Sequence, residues 1–266
     1  MIKFKNVNFR YEDSDRPVFS DLNLNLPSGM TTLVGQNGTG KSTFLHLAGG
    51  RLIPDSGTVT VNDLDTDQMT DEESRNHLIS FIYQNMEFET DEKIGDLLPF
   101  VFDQGSHEDD SIINEIVSAL ELTDCLGRKY QENSKGDMQK ISIAFSLLFG
   151  SPYIMMDEPV FAMEHRWKEA ILDYLKDYTQ KNGNSLYYSI HELDLSLKYS
   201  DNAILFNKDH SLIMGPASNV LKREYLEEAY QVPMKLLYQR ENLFREHLEK
   251  PVNINKLRGQ DVKILD

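Results

Sequence analysis

The 266-residue sequence predicts an α/β fold with a mostly parallel sheet and crossover helices. Three observations carry this. Met30-Thr31-Thr32-Leu33-Val34 is a compact apolar strand that runs into a glycine-rich loop, and a helix starts within residues 42–49. Beyond about residue 149, short apolar strands alternate with helical segments: strand 153–156, helix 165–180, strand 185–190, helix 193–199 and strand 202–206. The strand Tyr153-Ile154-Met155-Met156 then ends on two adjacent carboxylates, Asp157 and Glu158.

The other elements follow in order. Residues 2–9 and 17–26 alternate polar and apolar as short strands do, with Pro27-Ser28-Gly29 as a turn. Residues 57–62 are strand-like, with β-branched side chains at 58–61, and residues 78–83 form another short apolar strand. From about 91 to 148 the pattern is mostly helical, with Ile112, Ile113, Ile116, Val117 and Leu120 spaced for one face. The tail beyond about 219 is charged and helical in pattern, and Pro251 ends it.

Composition narrows the class. Hydrophobic residues make up 40%, enough for a packed core. Mean hydropathy is -0.46, and no apolar run approaches the ~18 residues of a membrane span. The start, MIKFKNVNFR, alternates and has no long apolar region of a signal peptide. Cys125 is the single cysteine, which suits a reducing cytosol. Net charge is -16, and one segment carries all of it: residues 61–124 hold 18 acids against Arg75 and Lys93. Such a balance argues against nucleic acid or anionic lipid as the main partner.

Gly35-Gln36-Asn37-Gly38-Thr39-Gly40-Lys41-Ser42 fits the spacing G-x-x-x-x-G-K-[ST] between strand and helix. Glycines let the backbone wrap an anion with its N–H groups, and the helix N-terminus adds positive potential. Lys41 would sit on the β- and γ-phosphates of ATP, with the Ser42 hydroxyl on Mg2+. Asp157 and Glu158 would lie beside this loop at the sheet's carboxyl edge. Asp157 then suits the Mg2+ shell, and Glu158 suits a general base for the attacking water.

These residues, in this order, resemble the ATP-binding subunits of ABC transporters over roughly residues 2–235. The resemblance implies a P-loop NTPase core with a mostly parallel sheet, an N-terminal antiparallel β subdomain and an inserted α-helical subdomain at about 88–148. The ATPase domain would span 1–235, with a C-terminal extension over 236–266. ATP-binding residues would be Tyr11, Gly35, Gln36, Asn37, Gly38, Thr39, Gly40, Lys41, Ser42 and Thr43. Tyr11 matches the aromatic that stacks on adenine, although it also continues the face of Val7 and Phe9. Gln84, in Phe81-Ile82-Tyr83-Gln84, matches the glutamine that touches Mg2+ or the lytic water. His191, in Ser189-Ile190-His191-Glu192, matches the histidine at the γ-phosphate. The implied catalytic set is Glu158, His191, Gln84 and Lys41, and the implied Mg2+ set is Ser42, Gln84 and Asp157.

By resemblance, two such domains dimerise head to tail and work with transmembrane permease subunits whose coupling helices dock near Gln84. That would set the chain on the cytoplasmic face of the cell membrane, held there by the permease. Residues 191–201 and 221–232 are similar to stretches of metal-chelate and cobalamin importers, whose complexes include a solute-binding protein. An importer subunit is the leading expectation. An exporter subunit, half of an asymmetric heterodimer, or a non-transport ATPase of the family are the alternatives.

Departures from the family pattern cluster. Asn133-Ser134-Lys135-Gly136-Asp137 stands where Leu-Ser-Gly-Gly-Gln is usual, and Val160-Phe161-Ala162-Met163-Glu164 replaces Thr-Ser-Ala-Leu-Asp. Ser134, Lys135, Gly136 and Asp137 form the signature offered to the nucleotide of a second subunit. Groups holding nucleotide within the chain are retained, and groups offered across the dimer are altered. Both a homodimer and a heterodimer with an intact partner signature fit. The densest acidic stretch, 87–124, carries 12 acids against Lys93 and suits a basic coupling helix or a solvated helical lobe.

Overall fold

The computed structural model describes residues 1–237 apart from Asn85 and Glu87. Pro251 and nearly all of the expected extension lie outside the described residues. β1 (Ile2–Phe9) and β2 (Phe19–Asn25) are antiparallel partners. β1 buries Ile2 and Phe4, then Val7 and Phe9, so its alternation slips by one residue. The slip is a bulge at Asn6, whose φ is 52°. β3 (Met30–Gly35) is buried along its whole length and leads through the glycine loop into α1 (Lys41–Ala48). β4 (Ser56–Val61) returns to pair with β1, and the two-residue β5 (Leu64–Asp65) completes a four-stranded antiparallel sheet in the order β2-β1-β4-β5.

α2 (Glu72–Leu78) precedes β6 (Ile79–Ile82). The expected strand 78–83 is thus shorter, because Leu78 closes a helix that the sequence pattern missed. α2 buries no residue, so it has no apolar stripe to read. Its legible sign is Asp71, which caps the N-terminus by accepting from the Ser74 amide at 2.8 Å.

Next come α3 (Ile94–Asp103), α4 (Ser111–Ala119) and α5 (Lys135–Phe149). Ile116 and Leu120 of the expected apolar face are fully buried, with Ile112, Ile113 and Val117 packed at the margin. Cys125 is buried here, and burial pushes its thiol up from the ordinary value. Gly150 ends α5 with φ 72°, the left-handed close that glycine permits.

Strand and helix then alternate through β7 (Tyr153–Met156), α6 (His165–Asn182), β8 (Ser185–Ser189), α7 (Leu193–Tyr199) and β9 (Asn202–Phe206). β10 (Leu212–Pro216) turns back antiparallel, followed by α8 (Ala217–Val220) and α9 (Arg223–Tyr230). The second sheet has six strands in the order β10-β9-β3-β8-β7-β6. β9, β3, β8, β7 and β6 are all parallel, as the alternation requires. Their carboxyl ends therefore open on one edge.

Phe44 of α1 joins the two sheets. It stacks on Phe4 of the antiparallel sheet at 4.8 Å and meets Phe206 of β9 edge-on at 5.5 Å. Phe44 is fully buried. Phe44→Ala should cost about 3–5 kcal/mol of unfolding free energy, because the cavity would open between two sheets that cannot both collapse into it. Urea denaturation followed by circular dichroism measures this, with the midpoint falling and the slope unchanged.

Candidate functional site

The loop after β3 turns on its glycines. A Cβ at Gly35 would lie 2.7 Å from the Phe206 carbonyl oxygen, and Gly40 has φ 101° with Val18 against it. Lys41 is 7% exposed. Its Nζ donates to the carbonyls of Gly35 and Gln36, each at 2.9 Å. The Thr39 hydroxyl also donates to the Gln36 carbonyl, at 2.9 Å. Burial lowers the Lys41 ammonium from its ordinary value, opposed by the charges of Glu158 and Asp157. Ser42, Asn37 and Gly38 are exposed beside it.

Tyr11 lies at the mouth of the loop. Its hydroxyl shares a 2.9 Å hydrogen bond with the Thr43 hydroxyl, and its ring meets Phe9 edge-on at 5.0 Å. Its ring is 44% exposed. It extends the β1 aromatic face through Phe9 and stays partly exposed beside Thr43 of α1.

β6, β7 and β8 bring three further residues together. The Glu158 carboxylate accepts from Gln84 Nε2 at 2.8 Å on one oxygen and lies 2.8 Å from His191 Nε2 on the other. Glu158 has φ 52°, a left-handed conformation costly for a residue with a Cβ. Ser189 holds it there. The Ser189 hydroxyl accepts from the Glu158 amide at 2.9 Å and donates to Asp157 Oδ1 at 2.6 Å. Sequence reasoning missed Ser189; its position at the end of β8, two residues before His191, was the available signal. The Lys168–Glu192 ion pair beside His191 was missed too: Lys168 is 5% exposed, and its distance in sequence hides the contact.

Asp157 is 5% exposed, with one carboxylate oxygen committed to Ser189. Among the described residues, no group of three carboxylate, histidine or cysteine side chains forms a metal cage. The buried Asp157 carboxylate and the exposed Ser42 hydroxyl are oxygen donors of the kind that fits Mg2+, which keeps several waters and takes substrate phosphates as ligands.

The residues of the expected signature start α5. Ser134 is its N-cap: the hydroxyl accepts from the Asp137 amide at 3.1 Å and donates to Asp137 Oδ2 at 2.7 Å. Lys135 is the first helical residue and is exposed, so its backbone needs no glycine. A Cβ at Gly136 would meet the Ala162 carbonyl oxygen at 3.6 Å and Met163 Cγ and Ser134 Oγ at 4.0 Å, all ordinary contacts. Gln139 accepts from the Ala162 amide at 3.0 Å, tying the helix start to residues 160–164. Phe161 there is 50% exposed. Lys140 lies 3.7 Å from Asp137 and 3.8 Å from the centre of the Trp167 ring. No hydrogen bond or ion pair among the described residues joins Ser134, Lys135, Gly136 or Asp137 to the phosphate loop.

The ABC transporter family profile matches residues 19–161, over half of the chain, and the chain belongs to that family. EcfA1 of Lactobacillus johnsonii, an energy-coupling factor transporter ATP-binding protein, is 25% identical over 96% of this chain and 93% of its own length. FatE of Bacillus anthracis, a petrobactin import ATP-binding protein, is 25% identical over 89% and 96%. LolD of Colwellia psychrerythraea, a lipoprotein-releasing system ATP-binding protein, is 29% identical over 80% and 90%. Among solved structures, the cassette MJ0796 bound to ADP and Pi superposes with TM-score 0.71 at 22% identity, over 82% of this chain and 99% of that one. An inward-facing transporter described as of metal-chelate type gives TM-score 0.69 at 22% identity, over 87% and 89%. The chain is an ATP-binding subunit of an ABC transporter and an ATPase.

His191 holds the Glu158 carboxyl below the ordinary carboxylate range by its hydrogen bond; burial pushes the other way and is outweighed. With its folded value depressed, Glu158 contributes stability that is present above its unfolded value and lost as pH falls through the folded one. Glu158→Gln should remove that contribution and flatten the acid side of a stability-against-pH curve. Urea titrations of both proteins across the acid range measure it.

Proposed function

We propose that this chain hydrolyses ATP at residues 35–43 to drive an importer of the metal-chelate or cobalamin type. The single observation behind the catalytic reading is the convergence of Gln84, Glu158 and His191 at one sheet edge, next to Asp157 and Lys41. Adenine stacks on the exposed ring of Tyr11. The amides of Gly35, Gln36, Asn37, Gly38, Thr39 and Gly40 wrap the phosphates, with the hydroxyls of Ser42 and Thr43 at the helix start. Lys41 leaves its two carbonyl partners for the β- and γ-phosphates.

Mg2+, when bound, neutralises charge on those phosphates, and Ser42, Asp157 and Gln84 would hold it. Glu158 accepts the proton of the attacking water, and His191 contacts the γ-phosphate. Glu158 is ionised at neutral pH, as an ordinary glutamate is, and the His191 hydrogen bond that holds its value down keeps the carboxylate in place at the cost of some basicity.

The importer reading rests on the likeness to FatE and to the metal-chelate type transporter, together with residues 191–201 and 221–232. Permease subunits would hold the chain at the inner face of the membrane, with a solute-binding protein in the complex. No described helix is long and apolar enough to cross a membrane. Their coupling helix would dock by Gln84 against α3, where Phe100 is 61% exposed. The described acids from 89 to 124 are all exposed, and only Asp91 and Glu115 are in ion pairs among the described residues. A basic coupling helix complements that surface. Reconstituted with its permease in liposomes, the chain should drive ATP-dependent uptake of a metal chelate or cobalamin; efflux would overturn the importer reading.

One observation favours a second reading, a heterodimer. Ser134 already donates its hydroxyl to Asp137, and the Asp137 carboxylate would repel a partner's γ-phosphate. A second subunit with an intact signature would then close on the nucleotide of this chain. Cooperative ATP hydrolysis by the purified chain alone would remove the need for this reading.

Two expected outcomes follow from the site. Glu158→Gln should keep ATP binding and lower turnover by about 10²-fold or more, in line with loss of a general base, as read by steady-state phosphate release. If the acidic surface docks a basic helix, raising salt from ~50 to ~500 mM should weaken capture of the chain by permease-containing detergent micelles while leaving ATP affinity nearly unchanged, since only exposed charges are screened.

A further inference from the structure

Gln36 has no role in binding phosphate through its side chain, which points away to the C-terminal helix. The last carbonyls of any α-helix lack partners within the helix. At the end of α9, the Ala229 and Tyr230 carbonyls both accept from Gln36 Nε2, at 3.1 and 2.7 Å. Gln231 then breaks the helix with φ 55°. Its Oε1 accepts from Lys208 Nζ at 3.3 Å, in the turn between β9 and β10. His210 of the same turn, with φ 67°, brings Nδ1 to 3.3 Å from the Thr39 carbonyl. The loop is thus held from outside at two points, Gln36 and Thr39.

The backbone of Gln36 faces the other way. Its carbonyl takes the hydrogen bonds of Lys41 Nζ and the Thr39 hydroxyl, each at 2.9 Å. One residue therefore carries the lysine of the loop on its main chain and grips α9 with its side chain. α9 is itself anchored, because Leu226 and Ala229 pack with Val34 of β3 and Leu205 of β9. Lys41 must leave the Gln36 carbonyl to reach a phosphate, so the free energy of nucleotide binding depends on where α9 holds that carbonyl.

We propose that Gln36 is a positioning residue that fastens the last turn of α9 to the phosphate loop and couples nucleotide binding to the C-terminal helix. The proposal rests on the reading that residues 35–42 hold the phosphates of ATP. Two variants of the full chain test it: Gln36→Leu, apolar and of similar size, and Gln36→Glu, isosteric but without the N–H donor. Both should raise the Kd for ATP and for ADP by about fivefold to tenfold, within the worth of the two hydrogen bonds that each variant removes. The effect should appear in KM more than in kcat. Hydrogen exchange in residues 223–230 should slow when a non-hydrolysable ATP analogue binds the wild-type chain, and this protection should be lost in both variants. Unchanged Kd in Gln36→Glu, or equal protection of α9 in wild type and variants, would overturn the coupling. Lys41→Ala separates the two readings: persistent ATP binding there refutes the loop as nucleotide site, whereas its loss with a normal Gln36→Glu refutes only the role of Gln36.

Discussion

The Ser189 hydroxyl is the constraint on which the site depends. It donates to Asp157 and accepts from the Glu158 amide, so a single side chain on β8 fixes two consecutive carboxylates at the end of β7. Adjacent residues leaving a strand would otherwise point to opposite faces. The left-handed turn at Glu158 brings its carboxylate round to Gln84 and His191, and Ser189 offsets the conformational cost. Parallel register makes this possible, because β6, β7 and β8 end at the same edge.

Much of this was legible in the sequence, and the reasons are physical. A parallel strand buried on both faces favours apolar and β-branched residues along its length, so β3, which carries Thr31 and Thr32, and β7 stand out as short compact runs ending in polar chemistry. The phosphate loop is legible because its chemistry dictates glycine at fixed spacing. α2 was not, since a helix that buries nothing needs no periodicity. β10 was hidden because the turn before it is closed by His210 in a conformation usually left to glycine. Lys168 lay beyond reach for a different reason, since it acts through a contact with Glu192 far along the chain and carries no local pattern. Ser189, which acts between strands, left only its place two residues before His191 as a sign.

Polarity of the surface separates two kinds of work. Around the phosphate loop the side chains are committed to one another: Lys41 to the loop carbonyls, Glu158 to Gln84 and His191, Gln36 to α9. On α3 and α4 most of the described acids face water without an ion-pair partner among the described residues. An unsatisfied acidic surface gains by meeting opposite charge, although salt screens such gains.

Trp167 is the only tryptophan in the chain, and two cations lie close to its ring. Lys140 of α5 lies 3.8 Å from its ring centre and Arg166 of α6 lies 5.3 Å away. Indole emission depends on the charge nearest the ring. The protein therefore carries a native fluorophore at the junction where α5 meets α6, and its colour and intensity report the position of α5 without any label.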